Sequence, residues 1–290
     1  MNHKFYHIDA FTEHVFKGNS ACVVLLSCEL GDDVLLKIAA ENNVAETAFI
    51  LNKGGRIVLR WFTPDLEMDL CGHATLAAAY VVFHFMPEFV CGNKIVFDTC
   101  EGEIHVYREE GSDVYKGADT NIPDKFCLHF PVREGVVAQL PQQIRAALSI
   151  APQEVYLSRD YLLVYDSPQD VLDIEINRTE FDKINLGQGG VVVSARGPHK
   201  EDACYKMIGK CDFVSRFFTP QATILEDPVT GSAHCTLAPY WGQRLGKTNL
   251  FAKQISARGG DLWCTLENGK VMIKGCAVCY MAGIISIESY

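Results

Sequence analysis

Two stretches of this chain run through the same order of apolar and polar positions. Short apolar runs of strand length, Ile57 to Phe62 and Phe213 to Phe218, are each closed by a proline, a loop and a glycine-led segment of helical pattern. The first such segment, ATLAAAYVVFHFM behind Gly72, is apolar on nearly every side. That predicts a helix buried all round, as when a sheet wraps it, with Pro87 as its stop. The second, SAHCTLAPYWGQRLG behind Gly231, begins alike, but Pro239 falls inside it and is expected to kink it. Outside these blocks, DDVLLKIAAENN from Asp32 and PQQIRAALSI from Pro141 read as amphipathic helices.

The likeness is one of sequence as well as pattern. RWFTPDLEMDLCGHATLA from Arg60 aligns with RFFTPQATILEDPVTGSAHCTLA from Arg216, and three extra residues in the second copy bring Gly72-His73-Ala74 onto Gly231-Ser232-Ala233. CEGEIHVYREEG then falls on RGGDLWCTLENG, and Lys116-Gly117 on Lys274-Gly275. Internal repetition of this kind fixes architecture before any single motif does. The fold class expected is α+β, with two pseudo-symmetric half-barrel domains, each a curled mixed sheet around a central helix. The polar stretch from Glu109 to Lys125 is the natural boundary, giving domains over residues 1–118 and 119–279. The final strand-like run, within 280–290, has no partner in the second copy and is expected to complete the first domain.

Composition narrows the partners. With 48% hydrophobic and 21% charged residues in 290, the chain has the make-up of a globular protein with a sizeable core. A formal charge of -10 disfavours nucleic acid and anionic membrane surfaces, leaving small-molecule chemistry as the expectation. No window resembles a membrane span or a secretory leader, so a cytoplasmic location is expected. The twelve cysteines are scattered through apolar runs and read as reduced core residues rather than a disulfide framework. Cys276 and Cys279 form a lone CxxC in a strand-like run, where residues three apart face opposite sides and do not share a metal.

Two helices that begin at glycines, in halves facing across a pseudo-twofold cleft, would aim unpaired N–H groups and positive dipole ends at one small anion. Gly72-His73 and Gly231-Ser232 would flank it. Proton chemistry near neutrality calls for withdrawn carboxylates or histidine. Glu46, opening an apolar strand just after a helix, Asp227, held extended before Pro228, His73 and Ser232 are the candidates. Each has a plainer reading: a solvated strand end for Glu46, a turn for Asp-Pro, a cap or core role for His73. Cys71, beside a helix start, is a candidate nucleophile or a buried bystander, and a Cys71–His73 pair two residues apart reads as sterically awkward. Its counterpart is Thr230, which excludes a symmetric two-thiol shuttle. Asp65, Glu67 and Asp69 with His73 are a weak metal set, since solvated loop acids are the commoner meaning of such a run.

DAFTEHVFKGNSACVVLL, AAENNVAETAFIL, RWFTPDLEMDLCGHATLAAAYV, EDPVTGSAHCTLAPYW and KQISARGGDLWC together resemble the PhzF-like family of phenazine-biosynthesis-type isomerases, in order and over nearly the whole chain. More distantly the chain resembles diaminopimelate epimerase, whose fold is two similar halves. The resemblance implies a homodimer and proton transfer at carbon, with no cofactor and no metal, on a small carboxylate-bearing, amino-acid-like or anthranilate-like metabolite. It places the catalytic Glu on Glu46, with Asp227 and His73 as catalytic partners and Gly72, Gly231 and Ser232 as substrate-binding residues. Epimerase relatives use one Cys from each half, and here Thr230 stands opposite Cys71. Two other readings remain open from the residues: a hydrolase using Cys71, and a non-catalytic small-molecule binding protein.

Overall fold

The computed structural model describes residues 1–109 and 124–288. The expected domain division between 118 and 119, Lys116-Gly117 of the repeat and the last two residues of 280–290 lie outside the described residues. The chain divides into two compact units, Met1–His129 with Lys274–Tyr290, and Phe130–Ile273.

The first unit carries β1 (Asn2–Ala10), β2 (Asn19–Leu26), α1 (Asp32–Asn42), β3 (Glu46–Lys53), β4 (Arg56–Phe62), β5 (Glu67–Met68), α2 (Gly72–Phe85), β6 (Lys94–Thr99), β7 (Gly102–Arg108) and β8 (Lys125–Pro131). The second carries β9 (Val136–Val137), α3 (Gln142–Ala147), β10 (Glu154–Leu157), β11 (Tyr161–Val164), α4 (Pro168–Asp173), α5 (Arg178–Phe181) and β12 (Val191–Arg196). It continues with α6 (Tyr205–Ile208), β13 (Phe213–Phe218), β14 (Glu226–Asp227), α7 (His234–Leu245), β15 (Asn249–Gln254) and β16 (Gly260–Glu267). Both unit boundaries fall inside strands, β8 and the long β17 (Lys270–Ser286).

The repeat in the sequence is a repeat of strand pairing. In the first unit β1–β2 is antiparallel, β2–β3 parallel, β3–β4 antiparallel, β4–β6 parallel and β6–β7 antiparallel. In the second, β10–β11, β11–β12, β12–β13, β13–β15 and β15–β16 follow the same alternation. Each parallel step needs a helical crossover, and α1 and α2 supply them in one unit as α4, α5 and α7 do in the other. The C-terminal strand returns to the first unit, where β17 pairs with β1 from Asn2↔Ser286 to Ala10↔Ala277. Each unit is thus a mixed sheet curled about a central helix.

α2 behaves as its composition demands: eleven of its residues, Gly72 to Ala79 and Val81 to Phe83, are buried. Ala74, Ala77, Ala78 and Ala79 let strands approach the helix on several sides at once. α7 runs through Pro239 as one helix. A proline there removes the N–H that the Cys235 carbonyl would accept, and the backbone N–H of Arg133 takes that place at 2.9 Å. The Trp241 indole donates to Ser194 Oγ at 2.9 Å, and Ser194 donates to the Val214 carbonyl at 2.7 Å, which satisfies a buried polar pair between α7 and the sheet.

The repeated RWFTP and RFFTP segments are fasteners. Arg60 grips Glu67 through Nε and Nη2, both at 2.7 Å, and Arg216 grips Glu226 through the same atoms at 2.7 and 2.9 Å. Each guanidinium lies over a phenylalanine two residues on, 5.0 Å from Phe62 and 4.9 Å from Phe218. Each clamp holds a two-residue strand, β5 or β14, against its long neighbour just ahead of the helix start.

Candidate active site

α1 ends on Asn43 in the left-handed conformation, its N–H bonded to the Ala39 carbonyl. Three residues later Glu46 opens β3 beside Ala21 of β2. Cys71 caps α2 with an extended backbone and no side-chain capping bond, so its thiol turns to the neighbouring histidine instead. The Thr75 hydroxyl and N–H both bond the Cys71 carbonyl, which locks this first turn.

His73, 2% exposed, joins the parts. Its Nε2 lies 3.0 Å from Glu46 Oε2, whose side chain is 12% exposed. The contact is close but out of line for a formal hydrogen bond, leaving both atoms buried and without a hydrogen-bond partner. On the ring's other side, Nδ1 sits 3.1 Å from the Asn19 amide and 3.6 Å from Cys71 Sγ. The pair expected to be awkward is therefore made. The cap residue's extended backbone turns its side chain toward the helix-start imidazole.

Charge follows geometry. Burial pushes the Cys71 thiol up to about 11, the Glu46 carboxylate adds to that push, and the histidine only partly offsets it. The thiol is therefore neutral near pH 7. Burial alone would lower the His73 pKa, but Cys71 and Glu46 beside it raise it well above the usual histidine range. With the thiol neutral, we assign the rise at physiological pH to the carboxylate. The Asn19 atom facing Nδ1 is the amide nitrogen; an imidazolium donates from both ring nitrogens and therefore calls for that amide in the opposite orientation, with its oxygen toward Nδ1.

The second unit assembles a different set. β14 ends at Asp227, whose Oδ2 accepts from the Thr230 hydroxyl. Gln254 of β15 accepts from the Thr230 N–H at 2.8 Å and donates to the Asp227 carbonyl at 2.7 Å, so it staples the DPVT loop. Gly231 and Ser232 begin a single 3-10 turn that runs into α7. Ser232, 6% exposed, accepts from Arg159 Nη2 at 3.0 Å. His234, fully buried, bonds the Thr230 carbonyl through Nδ1 at 3.0 Å, and burial pushes its pKa down to about 4.

The structure thus joins Glu46 with His73, which follows Gly72 at the start of α2, in one unit. It gathers Asp227, Gly231 and Ser232 in the other. The proposed acid set in DLEMD does not form with His73, since Glu67 is committed to Arg60 and His73 to Glu46. Among the described residues, Glu46, Cys71 and His73 are the group with donor atoms close enough for a metal, all within 4.8 Å of one another. His73 faces the other two through opposite ring nitrogens, so a shared ion would require the ring to turn. Asn19, Gln254 and Arg159 went unassigned in the sequence. Asn19 and Gln254 lie within family-like motifs, but an amide carries no charge signal, and nothing local distinguishes Arg159 from a surface arginine.

All twelve cysteines are free, and among the described residues no helix is long and apolar enough to cross a membrane. The sequence profile of the family described as "Phenazine biosynthesis-like protein" matches residues 8–283. The chain is 41% identical over 289 residues to an uncharacterized isomerase of Pseudomonas aeruginosa, covering 99% of this chain and 100% of that one. A PhzF-family phenazine biosynthesis protein of Enterococcus faecalis superposes with a TM-score of 0.83 at 38% identity, over 99% and 100% of the two chains. A predicted epimerase from P. aeruginosa shares the fold at a TM-score of 0.73 and 17% identity, over 99% and 100%.

Proposed function

From the premise that the chain belongs to the phenazine biosynthesis-like protein family and is an isomerase, we propose that it moves a carbon-bound proton of a small carboxylate-bearing metabolite, amino-acid-like or anthranilate-like, with Glu46 as the acid–base group. No cofactor is assigned a step. The observation that carries this reading is the buried Glu46–His73 pair, 3.0 Å apart at the start of α2.

Glu46 has the character that proton abstraction from carbon needs: a carboxylate largely withdrawn from water, fixed by the first residue of a strand, beside a proton-bearing imidazole. It takes the proton from one carbon and returns it to another. His73 supplies positive charge beside the carboxylate and steadies the negative charge that develops on the substrate. The N–H groups around Gly72 and Gly231, with Ser232 and Asp227, are assigned the carboxylate and polar substituents. A homodimer is the assembly the family resemblance suggests, and the cytoplasm is the setting expected from the sequence pattern.

The test is isotopic. Anthranilate-type and amino-acid-type substrates incubated in deuterium oxide should gain deuterium at carbon with the wild type, read by NMR. A positioned acid–base group contributes a factor of about 10² to 10⁴, so Glu46→Gln should cut exchange by at least the lower figure. Exchange at near-normal rate in that variant would remove Glu46 from the role.

The 3.6 Å contact of Cys71 with His73 favours a second reading, a hydrolase with a thiol nucleophile. Against it stands the thiol itself, 4% exposed and pushed up to about 11. An active Cys71→Ser enzyme, unaffected by iodoacetamide, would end that reading.

A further inference from the structure

In the second unit the turn between β10 and β11 carries Ser158, Arg159 and Asp160, closed by the Ser158 N–H on the Asp160 carbonyl at 3.1 Å. Arg159 is built in rather than draped on the surface. Its side chain is 16% exposed, and Nε and Nη2 bond the two carboxylate oxygens of Asp160 at 3.2 and 3.1 Å. Asp160, 3% exposed, is anchored from behind by the Gly190 N–H at 2.9 Å. Gly189 packs so closely that a Cβ there would lie 2.6 Å from the Arg159 carbonyl oxygen. From this mount Nη2 reaches Ser232 Oγ at 3.0 Å.

The strand registers show what this place means. Thr47 lies opposite Phe62 and beside Cys22, and Val191 lies opposite Phe218 and beside Tyr161. Counting back from Cys22 and Tyr161, Ser158-Arg159 occupies in the second unit the place of Asn19-Ser20 in the first. There Asn19 contacts His73 at the helix start, and His73 is the repeat counterpart of Ser232. The same corner of each unit therefore sends a polar side chain to the second residue of the Gly-led turn.

We propose that Arg159 is a positioning residue that fixes Ser232 as a hydrogen-bond donor to an oxyanion of the substrate, most simply its carboxylate. This rests on the reading above that Ser232 faces substrate. A guanidinium has donors only, so Ser232 Oγ must accept from it, and the serine O–H is left to donate. A group met by that O–H is an acceptor, a carboxylate rather than an ammonium. The surroundings agree in sign. Arg133, tied by its N–H to the Cys235 carbonyl one turn beyond Ser232, has a buried Nη1 with no hydrogen-bond partner. Burial raises the Cys235 thiol to about 11, and both Arg133 and Arg159 act against that rise, which places both positive charges near this turn.

Calorimetric titration of the full chain with anthranilate and with anthranilamide tests this. The wild type should prefer the acid. A hydrogen bond to a charged group is worth a factor of about ten or more, so Arg159→Gln should lose that much affinity for anthranilate and little for the amide. Arg159→Lys, which keeps a charge for Asp160, should lose less. In a Ser232→Ala background, Arg159→Lys should cost nothing further. If Arg159→Gln fails to fold because Asp160 is left unpaired, the Lys and Ala variants and their combination carry the test. Equal losses for acid and amide, a full Arg159→Lys loss persisting without Ser232, or a wild type that binds neither probe or prefers the amide would each overturn the proposal. Deuterium exchange measured on the wild type and the Arg159 variants separates this from the catalytic reading. Acid preference that survives while deuterium exchange stays absent in the wild type sinks proton transfer alone; exchange with no dependence on Arg159 sinks the positioning role alone.

Discussion

At the start of α2, His73 stands between the Glu46 carboxylate and the Cys71 thiol; at the same step of the second unit, Ser232 is held by Arg159, and Thr230 binds Asp227. The backbone plan of the two is shared, but the chemistry is not. By strand register Glu46 corresponds to Gly190, and Asp227 to Met68. Each unit thus carries one of the two candidate acids, in different places of the same plan. Where the roles are purely structural, the halves solve one problem with different side chains: the Thr75 hydroxyl and the His234 imidazole each bond the carbonyl four residues back. The lesson is that duplication preserved pairing and clamps, and the side chains free of those duties diverged.

The comparison breaks most sharply at the acids. Glu46→Gln should cost at least about a hundredfold in exchange, whereas Asp227→Asn, which keeps an oxygen for the Thr230 hydroxyl, should cost less. An equal loss in both would show that the two units share the proton work.

The histidines differ in the direction their charge responds to folding. His234 is pushed down from an ordinary 6.5 to about 4, so between those values the unfolded chain takes up a proton that the folded chain refuses. Stability should therefore fall as pH drops through that window, by about 3 kcal/mol for this group. Urea melts of His234→Gln should lack that share of the acid loss. His73, raised instead, contributes stability that is present below pH 6.5 and fades as pH climbs through its folded value. A wild type and a His234→Gln variant with the same acid dependence would refute the assignment.

The clamps should also part company. Arg216 is 15% exposed and also bonds the Val171, Leu172 and Ile174 carbonyls at 3.2, 3.2 and 3.0 Å, while Arg60 is 31% exposed with Asp32 as its other partner. Arg216→Ala should cost about 2–3 kcal/mol, since buried acceptors are left behind, and Arg60→Ala about 1. Equal shifts in the denaturation midpoint would contradict that ranking. Gly190→Ala asks why the second unit lacks an acid at the residue just ahead of β12. A Cβ there would fall 2.4 Å from the Phe217 ring and 2.8 Å from the Phe218 carbonyl, so an overpacking cost of about 1–3 kcal/mol is expected in the same melts. The smallest effect belongs to Cys71→Ala, for a neutral, buried thiol: less than about tenfold in exchange, measured alongside iodoacetamide resistance.

Much of this was legible along the chain. The all-apolar ATLAAAYVVFHFM segment is the buried α2, and the register of the two copies places the three inserted residues in the loop between β13 and β14, longer than that between β4 and β5. Glu46 and His73 were nameable because titratable groups beside strand and helix starts carry a local pattern. Asn19 and Gln254 were not, because neutral amides become informative only through the partner they meet. The Cys71–His73 contact, which reads as awkward from the spacing, is made because spacing in sequence says nothing of the extended cap that turns the thiol toward the ring.

The sequence by itself determined the two-unit plan, because hydrophobic period, proline stops and a repeated Arg–Glu clamp are short-range signals that each copy spells out. Only the tertiary structure decided which side chains meet. Glu46 reaches His73 across 27 positions, and Arg159 reaches Ser232 across 73, because parallel strand pairing brings remote turns to one corner. Such contacts depend on sheet register, which no window of residues encodes alone.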